Sequence, residues 1–349
     1  MADTLPRYDP TRDYDWNYAH APDPVDVDVP PILGNWKFLG LEVRSPIGIP
    51  AGPLLNGRWV LYYARLGFDV LTYKTVRSRR HPCYPLPNLV PVKTGPLEGT
   101  EDELPAMVSM EGSWAVSFGM PSAEPDVWRR DVEQTREKLE PGQLLVVSVV
   151  ATVQPGWTIE EVADDYARCA RWAVDSGAHA VEANFSCPNV DTCDGQLYTD
   201  PPSAGIVARR IRDAVGKTPL ILKIGHVTQD SLADALLDQF GSVVDGLAMT
   251  NSVATRVRQA DGSWLFDGAR RGICGEATRR ASLEQTRTFA RRIARRQLPI
   301  RLIGVGGISR TSHLRDYLEA GAETVQIATA AMVDPLVAVR IRREWTERA

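Results

Sequence analysis

The sequence predicts an α/β fold in which eight parallel strands close into a (β/α)8 TIM barrel. From about residue 46 onward, eight short apolar runs alternate with segments of helical period. The runs are almost continuously apolar, which is typical of parallel strands buried on both faces. The chain has 349 residues, a length that suits one barrel with insertions. Eight such units favour a closed barrel over an open doubly wound sheet.

The predicted strands are strand-like in length and rich in β-branched residues. They span residues 47–51, 68–74, 144–151, 178–185, 219–224, 246–250, 300–305 and 324–328. Between them, Thr158 and Glu161 form a capping box ahead of an apolar stripe that ends at Gly177. Asp334 is a predicted N-cap with Pro335 at the first helical position of another helix.

Two segments do not follow this alternation of strands and helices. Residues 1–33 are rich in Pro, Asp and Tyr, and we interpret them as an extended N-terminal arm on the body or on a neighbouring subunit, or as a flexible tail. Residues 34–349 form a single predicted barrel domain. Within it, residues 76–142 hold many Pro, Gly and aromatic residues and predict an insertion over the barrel top.

Composition excludes several functional classes. A formal net charge of −4 argues against a nucleic-acid surface, which would be basic. The chain has no basic-then-apolar leader and no run of eighteen apolar residues, so we expect no membrane association. Five cysteines without a CxxC pair suit a reducing cytoplasm better than a disulfide framework, and we predict no metal site.

In a barrel of this class, the chemistry lies at the carboxyl ends of the strands. Cys187 stands there between two carboxamides, Asn184 and Asn189. An amide on each side can bind a polar planar ring while the sulfur faces one of its carbons. The alternative is an inert buried cysteine before a Pro-Asn turn.

A phosphate-binding signal follows the seventh predicted strand. Gly306 and Gly307 let backbone N–H groups approach an anion, and Ser309 then opens a predicted helix whose positive N-terminus favours it. TIM barrels often bind phosphate after strands seven and eight. A dinucleotide fingerprint is the weaker interpretation, because it requires a third Gly or Ala where Ser309 stands.

Two lysines end predicted strands, and a partly buried ammonium group there needs a partner. Lys74 and Lys223 could bind a phosphorylated cofactor whose ring carries negative charge when reduced. The alternative is a salt bridge to a neighbouring carboxylate, for which Glu182 on the adjacent strand is the candidate.

Together these segments resemble the FMN-dependent dihydroorotate dehydrogenases of the soluble class with a cysteine base, and the related flavin domain of dihydropyrimidine dehydrogenases. The resemblance covers roughly residues 40–345. It is carried, in sequence order, by SPIGIPAG at 45–52, YKT at 73–75, SFGMPS at 117–122, NFSCPN at 184–189, LKIG at 222–225, TNS at 250–252 and GVGGI at 304–308.

The resemblance implies that FMN lies over the barrel mouth. The residues expected to hold FMN are Ala51, Gly52, Lys74, Thr75, Asn184, Lys223, Thr250, Gly272, Gly306, Gly307, Ala328 and Thr329. The expected substrate-binding residues are Lys74, Asn184, Asn189, Asn251 and Ser252, and the expected catalytic residues are Cys187, Lys74 and Lys223.

The implied reaction oxidises a CH–CH bond next to a carbonyl, as in dihydroorotate to orotate. Cys187 would take the proton while flavin N5 accepts the hydride. A substantial thiolate fraction of Cys187 at neutral pH would require nearby positive charge or hydrogen bonds. The expected partners are a small cyclic substrate and a second copy of the chain in a homodimer. The electron acceptor stays open among fumarate, NAD through a flavoprotein partner, and oxygen.

Two positions depart from the family pattern. Val116 stands where the family carries an Asn that hydrogen-bonds the substrate ring, and Ser122 stands where Asn is common. A site built around amides discriminates strongly when one polar partner is missing. A specialised relative acting on another dihydropyrimidine or unsaturated carbonyl compound is therefore the alternative function.

Three further alternatives remain. A uracil-type reductase is suggested by DGSWLFDGARRG at 261–272, but those enzymes carry iron–sulfur segments and this chain has no Cys cluster. A catalytically silent flavin-binding barrel would have no need of Cys187 and both lysines. The third alternative is a covalent nucleophile at Cys274, but Cys187 has the better surroundings because it stands between two carboxamides.

Overall fold

The structure is a computed structural model that describes residues 5–110, 112–186 and 196–347. In chain order its strands are β1 (Trp36–Phe38), β2 (Leu41–Val43), β3 (Ile47–Ile49), β4 (Val70–Val76), β5 (Leu89–Val92), β6 (Glu103–Pro105), β7 (Ser113–Val116), β8 (Leu144–Val149), β9 (Ala180–Asn184), β10 (Leu220–Lys223), β11 (Gly246–Met249), β12 (Val253–Arg258), β13 (Arg271–Gly275), β14 (Arg301–Val305) and β15 (Ala322–Gln326).

The α-helices alternate with the barrel strands along most of the chain. They are α1 (Tyr14–Ala19), α2 (Gly57–Arg65), α3 (Pro125–Lys138), α4 (Ile159–Asp175), α5 (Pro201–Val215), α6 (Asp230–Phe240), α7 (Arg279–Arg295), α8 (Thr311–Glu319), α9 (Thr329–Val333) and α10 (Val337–Glu347).

Eight parallel strands form a closed barrel in the order β3-β4-β8-β9-β10-β11-β14-β15, with β15 pairing back to β3. The predicted fold class is therefore confirmed, and each predicted run overlaps one barrel strand. Several strand ends differ from the predicted runs by two residues; for example, β4 continues to Val76 and β15 begins at Ala322.

The two ends of the barrel differ in polarity. At the end where the strands begin, the β1–β2 hairpin places Phe38 and Val43 against Val70, Val146 and Ile221. This apolar packing fills that end. At the opposite end, the strands finish in polar residues such as Lys74, Asn184 and Lys223, so the open side of the barrel is its carboxyl end.

The predicted insertion 76–142 is corrected in one respect. Its last part, α3, is the barrel helix between β4 and β8, and it packs against α2 and α4. The earlier part supplies β5, β6 and β7 to a five-stranded sheet, which β12 and β13 complete in the order β5-β7-β13-β12-β6. These partners lie about 150 residues apart, and local sequence periodicity carries no signal for such pairing.

Helix boundaries follow the predicted capping only in part. The capping box of α4 forms, with Glu161 N–H donating to Thr158 Oγ1 and Thr158 N–H donating to the Glu161 carboxylate. In contrast, α8 begins at Thr311 after Arg310, so Ser309 does not cap it. Asp334 caps a turn by accepting from Leu336 N–H at 3.0 Å, and α10 begins only at Val337.

The described part of the N-terminal arm packs on the barrel. It contains one helix, α1, which Asp13 caps by accepting from Trp16 N–H, and Pro-rich residues 22–31 form no helix, as expected. Tyr8, Tyr14 and Asn17 of the arm are buried. Among the helices of residues 5–110, 112–186 and 196–347, none combines the length and apolarity that crossing a bilayer requires.

A buried ion pair ties α10 to the start of β4. Arg342 Nη2 contacts Asp69 Oδ2 and Ser45 Oγ, and Arg342 Nε donates to the carbonyl of Gly67. Burial raises the pKa of Asp69, while the Arg342 guanidinium acts in the opposite direction. The buried negative charge of Asp69 is therefore compensated by the Arg342 guanidinium.

Arg342→Met should destabilise the fold by about 3–5 kcal/mol, because it leaves a buried carboxylate without its cation. Urea denaturation would measure this loss, and the exposed neighbour Arg343→Met is the matched control, with an expected change of at most about 0.5 kcal/mol. The deficit should shrink on acidification, because protonation of Asp69 removes the buried charge. Equal effects of the two substitutions would contradict this role.

Candidate active site

A cavity of about 360 Å³ opens at the carboxyl ends of the barrel strands. A volume of this size is typical of a cofactor or small-molecule site. The predicted site residues that border it are Ala51, Gly52, Lys74, Thr75, Asn184, Lys223, Asn251, Ser252, Gly272, Gly306, Gly307, Ala328 and Thr329. The fold thus brings residues from seven strand exits and from the five-stranded sheet to one place.

Three other predicted residues stand apart. Thr250 is buried and does not border the cavity; its N–H donates to the carbonyl of Val305 at 2.8 Å. Cys187 and Asn189 lie outside the described residues, so their roles stay predictions from the sequence.

The glycine turn after β14 has backbone φ angles that only glycine adopts easily. Gly306 and Gly307 have φ values of 135° and 65°. A Cβ at Gly307 would lie 2.5 Å from Arg279 Cβ, so a side chain there would also clash with the start of α7. The carbonyl of Gly306 accepts a hydrogen bond from Tyr317 Oη at 2.8 Å. The turn is therefore fixed from both sides while it borders the cavity.

The two buried lysines enter the cavity from different strands. Lys223 is 5% exposed and Lys74 is 7% exposed. Within the described ranges, no salt bridge within 4.0 Å joins Lys223 to Glu182, and neither carboxylate oxygen of Glu182 has a hydrogen-bond partner. The salt bridge considered as the alternative role for Lys223 is therefore not formed.

Asn184 and Asn251, two of the amides that border the cavity, are hydrogen-bonded to Ser186. Asn184 Oδ1 accepts from Ser186 N–H at 3.1 Å, and Asn251 Nδ2 donates to the Ser186 carbonyl at 3.2 Å. Asn184 Nδ2 also lies 3.5 Å from Met120 Sδ. These contacts orient both amide planes at the point where the chain leads into Cys187.

Val116, Phe118, Gly119 and Met120 form part of one wall of the cavity. Val116 borders the cavity, and it is paired in register with Gly272. Its apolar side chain stands where an amide was expected. Ser122 does not border the cavity; its hydroxyl accepts from Arg77 N–H at 3.0 Å and donates to the Ala123 carbonyl. Of the two departures from the family pattern, only Val116 faces ligand space.

Arg77 is a supporting residue whose role was not predicted from the sequence. It is buried, and its Nε donates to the carbonyl of Met120 at 3.0 Å while Nη1 donates to that of Ala151. Met120 has a φ of 53°, which is unfavourable for a non-glycine residue, so the guanidinium helps to hold the cavity wall in place. The available signal was an arginine three residues after the predicted strand 68–74.

Cys274 borders the cavity on β13, opposite Trp114. Burial raises the pKa of its thiol to about 11, although Lys223 acts in the opposite direction. The thiol points to the carbonyl of Asn251, with Sγ and O 3.8 Å apart. At neutral pH it is therefore protonated, which argues against a thiolate nucleophile at this position.

The cavity suits a flat anionic cofactor. A Cβ placed on Gly52 would meet no atom within 4 Å, which leaves room for a ring against the backbone. Lys223 supplies a buried positive charge, and the turn at Gly306 and Gly307 supplies main-chain donors. Fold and cavity together define a (β/α)8 barrel protein with a ligand-sized cavity at the carboxyl ends of its strands.

Comparison with known proteins specifies the family. The model of the family described as dihydroorotate dehydrogenase matches residues 34–348. The chain therefore belongs to the dihydroorotate dehydrogenase family, whose members are oxidoreductases acting on CH–CH bonds.

Individual relatives agree with this assignment. The chain is 32% identical to a dihydroorotate dehydrogenase of Dictyostelium discoideum over 87% of its own length and 86% of that protein. It is 26% identical to the catalytic subunit of dihydroorotate dehydrogenase B (NAD(+)) of Desulforudis audaxviator, over 86% and 88% of the two chains. The crystal structure of the Eimeria tenella enzyme with ferulenol shares the fold, with a TM-score of 0.73, 19% identity and coverage of 96% and 89%.

The raised thiol pKa predicts how Cys274 reacts. Between pH 7 and pH 9, its alkylation by iodoacetamide should accelerate about tenfold per pH unit, because the thiolate fraction rises in that proportion below the pKa. Peptide mass spectrometry would follow the rate. Cys83, whose pKa burial also raises to about 11, provides the comparison outside the cavity. Rapid, pH-independent alkylation of Cys274 at pH 7 would instead support a nucleophilic thiolate.

Proposed function

We propose that this chain oxidises dihydroorotate to orotate with FMN bound in the cavity at the barrel mouth. The observation that carries the proposal is the convergence of two buried lysines and two oriented amides on one cavity, in a chain of this family. These groups match an anionic, planar heterocyclic ligand in charge and in hydrogen-bonding capacity.

The residues that would hold FMN fall into two groups. The turn at Gly306 and Gly307, with Ala328 and Thr329 after β15, would bind the phosphate through main-chain donors. Ala51, Gly52, Thr75, Lys223 and Gly272 would surround the ring. When bound, FMN supplies the hydride acceptor for the reaction. Lys223 places a fixed positive charge where the cavity needs to stabilise developing negative charge.

The substrate would be oriented by groups that do not react. Lys74 would bind the carboxylate of dihydroorotate, and the amides of Asn184 and Asn251, the hydroxyl of Ser252 and the amide of Asn189 would bind its ring polar atoms. Hydrogen bonds that are made before the reaction fix the carbon–hydrogen bonds relative to the base, which lowers the entropic part of the barrier.

Cys187 would act as the base in this arrangement. In the sequence it directly follows Ser186, the residue to which both amides are hydrogen-bonded. As a thiolate it would take the acidic proton from the substrate carbon next to the carbonyl. The proton would then remain on Sγ until it passes to solvent.

We also propose that the protein is a cytoplasmic homodimer. Cys83, Cys169 and Cys274 are free thiols, which supports a reducing compartment. Leu86, Met107 and Val108 are exposed apolar residues of the segment that carries the five-stranded sheet, and Val108 is 98% exposed. A second copy packing there would cover them.

Val116 favours one alternative substrate class. Its side chain borders the cavity where an amide would hydrogen-bond the orotate ring. A cyclic substrate that lacks a polar atom at this point, such as another dihydropyrimidine or an unsaturated carbonyl compound, would leave no group unpaired against Val116.

The central prediction concerns flavin content and turnover. The purified protein should be yellow, should release FMN on denaturation, and should lose its flavin absorbance on anaerobic mixing with dihydroorotate. Cys187→Ala should retain FMN while bleaching slows about 10²- to 10⁴-fold, the range a positioned base contributes. Cys169→Ala, in the buried face of α4, is the matched control and should bleach at the normal rate.

The outcomes separate the parts of the proposal. Colourless protein that does not take up FMN would overturn the cofactor assignment. A yellow protein that another ring compound bleaches and dihydroorotate does not would overturn the substrate assignment. Full activity of Cys187→Ala would overturn the base.

Val116→Asn should improve dihydroorotate binding. One added hydrogen bond to the ring is worth about 1 kcal/mol, so KM should fall roughly fivefold with kcat little changed. Steady-state kinetics would test this, with Val116→Leu as the apolar control. A rise in KM for Val116→Asn would instead support a substrate without a polar atom at this wall.

A further inference from the structure

The N-terminal arm is anchored at the rim of the barrel mouth. Its contacts join it to α2, to the residue that caps α2, and to α9 next to the cavity. The hydrogen bonds run from Tyr62 Oη to the carbonyl of Pro6 (2.6 Å), from Trp59 Nε1 to that of Asn17 (3.1 Å), from Asn56 Nδ2 to that of Tyr18 (2.8 Å), and from Arg7 Nη1 to that of Val333 (3.1 Å).

The arm also has internal structure of its own. The buried Asn17 side chain accepts from Asp9 N–H at 2.8 Å and donates to the carbonyls of Asp9 and Asp13 at 3.0 and 2.9 Å. These bonds close the segment from residue 9 to residue 17 into a compact turn. The position of each α1 side chain is therefore fixed relative to the barrel.

One α1 side chain reaches a residue of the site. The ring of Tyr14 is 7% exposed, and its centroid lies 5.9 Å from Lys74 Nζ. On another side, the ring centroid of Phe118, which borders the cavity, lies 5.5 Å from the same Nζ. The two rings contact each other edge to face at 6.3 Å. The ammonium group of Lys74 thus lies against two aromatic rings at the edge of the cavity.

Aromatic faces attract ammonium groups, and the attraction grows where water is excluded. Lysine has four rotatable carbons, so a fixed direction for its Nζ has to come from its surroundings. We infer that Tyr14 is a positioning residue: its ring, with that of Phe118, holds the Lys74 ammonium group toward the substrate's carboxylate. The arm thereby supports the substrate site through Lys74 and Phe118, which border the cavity. This inference rests on the proposed function for the identity of the ligand.

The experiment uses the purified full-length flavoprotein and three variants of α1. Tyr14→Leu removes the aromatic face, Tyr14→Phe retains it, and Trp16→Leu is the matched control on the outward face of the same helix, where Trp16 is 37% exposed. Binding of orotate is measured from the change in flavin absorbance, together with KM and kcat for dihydroorotate.

Tyr14→Leu should raise KM and the orotate Kd about tenfold, with flavin content unchanged and kcat altered less than KM. Tyr14→Phe and Trp16→Leu should both bind as the parent protein does. Equal effects of Tyr14→Leu and Trp16→Leu, or failure of Tyr14→Phe to restore binding, would overturn the positioning role.

A double substitution tests whether Tyr14 acts through Lys74. In a Lys74→Met background, Tyr14→Leu should cause no further loss of orotate affinity, because the two residues act as one unit. Additive losses would show that the arm acts by another route and would overturn the inference.

A second readout does not depend on the substrate. Acetylation of Lys74 by limiting acetic anhydride, quantified by mass spectrometry, should be several times faster in Tyr14→Leu than in the parent or in Trp16→Leu. Unchanged labelling would overturn the contact itself, even if the parent protein bound no orotate. Parent protein that fails to bind orotate while labelling follows Tyr14 would instead overturn the proposed substrate alone.

Discussion

The burial of two ammonium groups at one end of a barrel is the constraint on which the rest of the site depends. The opposite end is filled by the β1–β2 hairpin and apolar strand residues, so polar groups collect where the strands finish. Lys223 is almost fully enclosed there, and burial of a charge is costly without a compensating group. Under the proposed function, the anionic cofactor would supply a compensating charge to Lys223.

Elements outside the barrel stabilise the conformation of the carboxyl end of the strands. Arg77 fixes the wall at Met120 through main-chain carbonyls, and the glycine turn at 306–307 is held between α7 and Tyr317. The arm adds aromatic rings on the remaining side, at Lys74. Each of these supports acts through backbone groups or ring faces.

Family membership and the local chemistry agree on the reaction class. Val116 is the position in the cavity wall that departs from the family pattern. The dihydroorotate dehydrogenase family is matched over nearly the whole barrel. Val116 stands where the sequence resemblance predicts an amide, and it borders the cavity. Val116 and Phe118 border the same cavity, and the arm contacts Phe118 through Tyr14.

The sequence by itself determined the features that depend on neighbours along the chain. Periodicity defined all eight barrel strands, and the Thr158–Glu161 capping box and the strand-exit lysines were readable because each is a local pattern. Only the tertiary structure decided the pairing of β7 with β13, the absence of a Glu182–Lys223 salt bridge and the contact of Tyr14 with Lys74. Each of these three features concerns residues about 40 to 160 positions apart in the sequence. Their relative geometry is set by packing of the whole chain, for which no local sequence pattern exists.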